Sequence, residues 1–292
     1  MKAPAFDYIK PRSLEQVFAL LAEYGDEARL LAGGQTLMAT LNMRLSEPAL
    51  VVDINGIDAL RGIALDASAG VLRIGALVTH SEIEASALVA LHAPLLTLAV
   101  PHIAHRAIRN LGTWGGSLAY ADPAAEWPAC VLALDAVIVA RGSAGERRIA
   151  AADFFLDLYT TALLDGELIV ACEVPVCTSH HRCAFQELAR RHGDYAIVGL
   201  ALAAQEVDGL LQESRIALLG IGTTPLRARR TEALLNGHAV DARLLQDAAQ
   251  SLADELIGAM APMADLTNSA ATKRHLASVL LRRCLAGLLP SP

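Results

Sequence analysis

The chain has 292 residues, of which 54% are hydrophobic, 19% charged and 4% aromatic, and its formal net charge is −7. That length allows two domains with sizeable cores, and the acidic balance argues against a nucleic-acid partner, which would favour a basic face. No window reaches the roughly 18 uncharged apolar residues of a membrane span, and the opening MKAPAFDYIKPRS lacks a secretory signal's apolar stretch, so a cytoplasmic location is expected.

Ser13, with Gln16 three residues on, reads as a capping box opening a helix over Leu14–Tyr24, which stops at Gly25. Ala28–Ala32 reads as a short buried strand leading into Gly33-Gly34-Gln35-Thr36 and a helical run to about Arg44. Leu50–Ile54 and Leu72–Ile74 are further strands, and Ser81 with Glu84 forms another capping-box pair. A helical segment from Pro101 to about Arg109 precedes a second glycine-rich turn, Gly112-Thr113-Trp114-Gly115-Gly116-Ser117. Asp122-Pro123 predicts a helix start, with aspartate as N-cap and proline at the first helical position, and the helix should run to about Leu134. Strands over Ala136–Ala140 and Glu167–Val174 follow, the latter closed by Pro175.

The polar stretch Cys177–Arg182 is the best candidate for a domain boundary. Beyond it, Phe185–Leu188, Ala196–Val207 and Ser214–Gly220 predict a separate sheet, and helices over about Ala242–Gly258 and Thr272–Leu289 finish the chain. The class is α+β. The expected domains are 1–176, with subdomains of about 1–56 and 57–176, and 177–292.

The five cysteines, Cys130, Cys172, Cys177, Cys183 and Cys284, include no CxxC, and an odd scattered set argues against a disulfide framework. Cys172, Cys177 and Cys183 match no zinc or iron–sulfur spacing, and the nine histidines contain no HExxH. Buried or incidental thiols are the better reading, and no metal site is expected on this chain.

The two glycine pairs, Gly33-Gly34 and Gly115-Gly116, lie about 80 residues apart, each before a helix. A paired glycine lets backbone approach an anion, and a helix N-terminus adds aligned N–H donors. Gln35, Thr36, Thr113 and Ser117 would add side-chain hydrogen bonds at the same ends. Together such turns could clasp a pyrophosphate; alone, each could be a structural bend. There is no GxGxxG, since Gly220-Ile221-Gly222 lacks the third glycine and runs into Pro225. No Gly-Lys-Ser/Thr is present either, which argues against a P-loop.

The stretches Ala32-Gly33-Gly34-Gln35-Thr36-Leu37 and Ile108-Arg109-Asn110-Leu111-Gly112-Thr113-Trp114-Gly115-Gly116-Ser117-Leu118 resemble the two FAD loops of the molybdopterin-dehydrogenase flavoproteins. These are the medium subunits of carbon monoxide dehydrogenase-type enzymes and the central domain of xanthine dehydrogenase. The resemblance continues through Val52-Asp53-Ile54, Ile74-Gly75-Ala76, Ala121-Asp122-Pro123-Ala124-Ala125-Glu126 and Glu167-Leu168-Ile169. It ends in Arg190-Arg191-His192-Gly193-Asp194-Tyr195-Ala196 and Leu219-Gly220-Ile221-Gly222, so it spans nearly the whole chain in order.

The resemblance implies a vanillyl-alcohol-oxidase (PCMH-type) FAD-binding domain of two α/β subdomains, followed by a small C-terminal α/β domain. It implies that Ala32–Thr36, with Leu37, and Thr113–Ser117 hold the FAD pyrophosphate and ribityl chain. By the same resemblance Asp122 accepts hydrogen bonds in the flavin region, Leu168 or Ile169 packs near the rings, and Tyr195 lies over one isoalloxazine face. Each residue also has a structural reading: Asp122 as a helix cap, Leu168 and Ile169 as core, Tyr195 as a surface aromatic, and Arg109 and Arg190-Arg191 as solvated charges. A functional Arg109 would brace the loop or a partner surface.

Three positions depart from the family pattern. Trp114 replaces a smaller aliphatic residue and is expected to press on the flavin or a partner, and Leu111 replaces a common arginine. Gln186 stands where many relatives carry a lysine near the flavin; a neutral amide stabilises anionic reduced flavin less, so a lower potential is expected.

The implied function is the electron-transfer flavoprotein of a molybdenum hydroxylase. Its expected partners are a large subunit with molybdenum on a molybdopterin cytosine dinucleotide-type cofactor and a small subunit with two [2Fe-2S] clusters, arranged as a dimer of heterotrimers. An external acceptor would take the electrons, and no catalytic side chain would be needed on this chain. Two alternatives stand beside it: a self-sufficient FAD-dependent oxidase or dehydrogenase, and a cofactor-free assembly module.

Overall fold

The computed structural model describes residues 2–288. The chain starts with β1 (Asp7–Ile9), α1 (Leu14–Tyr24), β2 (Ala28–Leu31), α2 (Leu37–Asn42) and β3 (Leu50–Asp53). These strands make a parallel sheet in the order β1-β3-β2, with Leu50 opposite both Asp7 and Ala28. Its central strand, β3, is buried throughout, as a parallel strand covered on both faces must be. Ser13 caps α1 by accepting from Gln16 N, while the Gln16 side chain accepts from Arg12 N rather than from Ser13, so the expected box is only half formed.

Next come β4 (Ile63–Asp66), β5 (Val71–Gly75), α3 (His80–Ala85), α4 (Ala87–His92), α5 (Pro94–Ala99), α6 (Arg106–Arg109), α7 (Trp114–Tyr120) and α8 (Glu126–Ala133). They lead to β6 (Val137–Gly142), β7 (Gly145–Ala150), α9 (Ala151–Phe154), the hairpin β8 (Phe155–Asp157) and β9 (Thr160–Thr161), and β10 (Leu168–Pro175). A five-stranded antiparallel sheet forms in the order β4-β5-β10-β6-β7. β10 is its centre: the run Leu168–Val174 is buried on both faces, against α1 and β3 on one side and the α5–α8 layer on the other.

Three local expectations are revised. Thr79, not Ser81, caps α3: Glu82 N donates to Thr79 Oγ1 and the Glu82 carboxylate accepts from Thr79 N. The sequence holds two overlapping matches, but Ser81 bonds Asn110 and Glu84 pairs with Arg109, so neither serves a cap. The helix expected from Pro101 to Arg109 is broken at Ala104, whose φ of 42° lies in the left-handed region, leaving only the short α6. Asp122-Pro123 does not begin α8. Asp122 Oδ1 accepts from Ala124 N in a tight turn, and the Pro123 carbonyl accepts from Gly220 N at 2.8 Å, so the helix waits until Glu126.

The last part of the chain contains β11 (His181–Ala189), β12 (Ala196–Val207), β13 (Leu210–Leu219), β14 (Leu226–Arg227), α10 (Arg229–Leu235), α11 (Ala242–Glu255) and α12 (Ala270–Ala286). β11–β14 pair in sequence order as an antiparallel sheet. Period-two alternation divides β12: Val198, Leu200 and Leu202 pack under α11 and α12, while Ala201 and Ala203 face α5 and α8. The small residues let the sheet lie close against those helices. Asp241 and Ser269 cap α11 and α12, each accepting from the backbone N–H three residues on. Leu289, the expected end of the last helix, lies outside the described residues.

Arg227 joins the parts. Its guanidinium donates to Leu132 O (3.3 Å) and Asp135 Oδ1 (3.1 Å) and pairs with buried Glu232. Among the described residues no helix is long and apolar enough to cross a membrane, and no cluster of histidine, cysteine or carboxylate side chains could hold a metal ion.

Candidate cofactor-binding site

The two glycine turns meet. A Cβ on Gly33 would stand 2.2 Å from Leu111 O and 2.8 Å from Gly112 Cα, so only glycine permits the approach. A Cβ on Gly116 would lie 3.8 Å from Ala32 Cβ. Residues about 80 apart in sequence therefore form one surface. Its first half follows β2, where Gly34 adopts φ 71°. Among the described residues, the backbone N–H groups of Gly33, Gly34, Gln35 and Thr36 donate to no protein acceptor. Gln35 Nε2 donates to Gly33 O at 3.0 Å, which holds the turn tight. Successive N–H groups in such a turn make a concave anion-binding nest.

Behind this turn is a polar brace. Asn55 Nδ2 donates to Ala32 O and to Asp53 Oδ1, each at 2.7 Å, and Asn55 N donates to the same aspartate oxygen at 2.9 Å. Tyr8 Oη donates to Asp53 Oδ2, with Lys10 Nζ 3.5 Å away. Burial alone would raise the Asp53 carboxyl, but the hydrogen bonds from Tyr8 and Asn55 outweigh it and hold it below the ordinary aspartate value.

The second turn is built differently. Trp114 N donates to Val78 O, Gly115 N to Ala76 O, Gly116 N to Thr113 Oγ1 and Ser117 N to Thr113 O. The first four N–H groups of α7 are all engaged, so the sequence argument that both helix starts offer donors to an anion fails here. Gly115 is present for packing, because its Cβ would meet Ala76 Cβ at 2.5 Å and Ala76 Cα at 2.8 Å. Trp114 is also corrected. It is fully buried, stacked edge-on against Trp127 at 5.0 Å, and presents no side chain to a ligand or partner. Of this turn only Gly116 and Ser117 are partly open to solvent, and Leu111 is exposed at its rim.

Beneath the second turn lies His80. Trp127 Nε1 donates to His80 Nδ1 at 2.9 Å, which puts the imidazole hydrogen on Nε2, and His80 N donates to Gly112 O at 3.0 Å. Burial, and then the Arg109 charge, lower His80 to about 4, so it stays neutral. Arg109 itself donates to Ile103 O and pairs with Glu84 at 3.1 Å, bracing the bend before the loop.

Asp122 is half-buried beside the second turn, and burial raises its carboxyl. Its charge reaches three tyrosines. Tyr120 and Tyr159 have ring centroids 5.0 Å apart, and partial burial followed by the Asp122 charge raises the phenols of Tyr120, Tyr159 and Tyr195. Tyr195 is exposed, in a loop whose Gly193 sits against Ala104 O and the His105 ring. Tyr120 and Tyr159 escaped the sequence reading: Tyr159 sits at the β8–β9 hairpin tip with φ 53°, and no motif marks it.

Leu168 and Ile169 are packed core side chains, 2% and 4% exposed, the former towards β3 and the latter towards the α5–α8 layer. Gln186 is exposed and stands opposite Leu200, on the sheet face that Ala184 and Leu188 turn towards α11 and α12. Alternation puts its neighbours Phe185 and Glu187 on the face towards α5 and α8, so Gln186 points away from the seam where the lysine comparison placed it.

Glu187 meets His102 Nδ1 at 3.6 Å, and its Oε2 is buried without a partner. Nearby Glu126 is raised to about 8, first by burial and then by the Glu187 charge, so it is protonated at neutral pH. Glu126 stood within a quoted motif, but the influence of Glu187 on it, from a distant strand, carried no sequence signal.

Comparison with known proteins agrees with this geometry. Residues 4–177 match the family described as FAD binding domain in molybdopterin dehydrogenase, and residues 183–288 match the CO dehydrogenase flavoprotein C-terminal domain. The chain belongs to this family of FAD-binding flavoprotein subunits of molybdenum hydroxylases. It is 38% identical over 290 residues to the 6-hydroxypseudooxynicotine dehydrogenase complex subunit alpha of Paenarthrobacter nicotinovorans, covering 99% of this chain and 96% of that one. It is 38% identical to the caffeine dehydrogenase subunit beta of Pseudomonas sp. strain CBB1, covering 98% and 95%. A solved carbon monoxide dehydrogenase from Hydrogenophaga pseudoflava superposes with a TM-score of 0.93 at 35% identity over 98% of each chain.

Proposed function

We propose that this chain takes electrons one at a time from a [2Fe-2S] partner subunit and passes them to an external acceptor, within a complex whose large subunit carries the molybdenum. FAD, when bound, supplies the ability to receive single electrons and release a pair. The observation that carries the reading is the joined glycine surface, with four N–H donors facing no acceptor among the described residues.

In this reading the backbone of Gly33, Gly34, Gln35 and Thr36 receives the diphosphate, an anion that such a nest of N–H groups suits. Asn55 fixes that nest through Ala32 O. Ala32 and Leu37 frame the first turn; Thr113, Gly115 and Trp114 act from below, by capping and packing, to hold Gly116 and Ser117 in place. In the same reading half-buried Asp122 and exposed Tyr195 are the side chains open to the flavin, and the buried Leu168 and Ile169 act only through packing. Gln186 drops out on orientation. The unit boundaries follow the sequence reading, 1–176 and 177–292, in a cytoplasmic dimer of heterotrimers. Substrate choice belongs to the molybdenum subunit.

The test uses purified chain and native complex. The chain should bind FAD at least about tenfold more tightly than riboflavin, which lacks the diphosphate held by the nest. Substrate should bleach the flavin in the complex and leave the isolated chain oxidised. Equal affinity for the two flavins defeats the assignment of the nest, and bleaching of the isolated chain favours the self-sufficient oxidase.

A further inference from the structure

The last two helices each turn one apolar stripe to the C-terminal core. Leu244, Ala248 and Leu252 supply it on α11, and Ala277, Leu280 and Leu281 on α12. Beside those stripes the helices leave an open groove between them, a cavity of about 450 Å³. Its lining keeps helical spacing on both walls. Gln246 and Gln250 stand one turn apart on α11, and Arg274, Ser278 and Arg282 run in steps of four along α12, with His275 beside them. The apolar part of the lining is small, Ala249 and Ala253 among it, and no aromatic ring or carboxylate belongs to it.

The charges on the two walls differ in kind. The acids of α11 are already engaged: Asp247 pairs with Arg243 at 3.5 Å, Asp254 accepts from Gln250 Nε2 at 2.8 Å, and Glu255 accepts from Thr231 Oγ1 at 2.8 Å. On α12 Lys273 pairs with Asp265 at 3.0 Å, whereas among the described residues no carboxylate stands within ion-pairing distance of Arg274 or Arg282. Ser278 Oγ donates to Arg274 O at 3.1 Å, which turns that hydroxyl towards the backbone and leaves the arginines as the strong donors of the wall. The chain has a net charge of −7, yet from Leu266 onwards it contains no acidic residue, while Lys273, Arg274, Arg282 and Arg283 all fall there. A solvated helix face ordinarily mixes signs four residues apart. This stripe carries one sign only.

We propose that the groove between α11 and α12 binds a soluble phosphorylated metabolite that is anionic at two points, such as a sugar bisphosphate. Arg274 and Arg282 lie two turns apart on one stripe, about 12 Å along the axis at roughly 1.5 Å per residue. Leaning inward, their guanidinium groups reach two phosphates joined by a short hydroxylated spacer, and each planar fork matches a phosphate with paired N–H donors. The Gln246 amide and the His275 ring suit the spacer hydroxyls, and the lining offers no ring on which a nucleotide base could stack. The cavity falls in the range of small-molecule pockets, roughly 300–1,000 Å³. The groove shares no residue with the glycine turns, so the proposal stands apart from the flavin assignment.

The experiment titrates the purified full-length chain, loaded with FAD, with fructose bisphosphate by isothermal titration calorimetry at low salt. One site per chain is expected, with a dissociation constant below about 1 mM that rises steeply with added salt. Arg274→Gln and Arg282→Gln should each weaken binding about tenfold, and Arg274→Lys should recover part of the loss, because charge returns without the fork. Arg283→Gln, on the same helix but outside the lining, should bind as wild type does. Gly34→Ala should do the same, which separates the groove from the nest. Fructose and inorganic phosphate should each bind at least about tenfold more weakly than the bisphosphate. No saturable heat, equal affinity for inorganic phosphate, tighter binding of adenosine diphosphate, or an affinity unmoved in both glutamine variants would each overturn the proposal. Urea midpoints measured alongside show that a lost affinity is a lost contact, and Arg274→Lys keeps the test decisive should Arg274→Gln fold poorly.

Discussion

The two glycine pairs read alike in sequence and differ in three dimensions. At Gly33-Gly34 the backbone donors face no acceptor among the described residues, and the glycines let two loops touch. At Gly115-Gly116 each donor is tied to Ala76 O, just past β5, or to the Thr113 cap, and Gly115 is required because Ala76 lies against it. A glycine pair before a helix is thus a statement about close approach, and only the hydrogen bonds reveal whether a ligand or the protein makes that approach.

The contrast gives its largest expected effect at Gly115. Gly115→Ala drives a methyl into Ala76 and should destabilise the chain by about 3 kcal/mol, read by urea denaturation, while the surviving folded fraction binds FAD nearly as well as wild type. Gly34→Ala should invert the pattern. Its left-handed φ makes a stability loss of about 1 kcal/mol, whereas a distorted nest should raise the FAD dissociation constant about tenfold. Equal losses of affinity in both variants would erase the distinction between the turns.

The smallest effect separates them by pH. His80, under the second turn, has its folded value depressed to about 4, so its contribution is fully present above its unfolded value near 6.5 and fades as pH falls through that window. Asp53, behind the first turn, is also depressed, but as a carboxylate it loses its contribution only below the ordinary aspartate value. His80→Asn should therefore flatten the stability slope between roughly pH 6.5 and 4 and leave the more acidic limb unchanged. An unaltered slope would remove His80 from the account.

Much of the fold was legible because periodicity and caps act locally. The helix over Leu14–Tyr24, the strand over Ala196–Val207 and the motif order along the chain needed no tertiary information. What was not legible depends on partners far away in sequence. Pro123 looks like a helix start until Gly220 claims its carbonyl, and Ser81 looks like a cap until Asn110 claims its hydroxyl. Trp114 reads as a bulky side chain pressing on the flavin or a partner because nothing local shows that Trp127 awaits it. The effect of the Glu187 charge on Glu126, and of Asp122 on the tyrosines, arises between segments with no shared motif.

The carbonyl of Pro123 has a wider implication. Its bond from Gly220, with Lys273 Nζ holding Gly220 O at 2.9 Å, threads α12, the end of β13 and the Asp122 turn into one line. Grafting the last hundred or so residues from a cousin would therefore transplant a grip as well as a module. Natural recombination at the Cys177–Arg182 joint should succeed only between lineages that share this clasp, so the halves are bound to diverge in step.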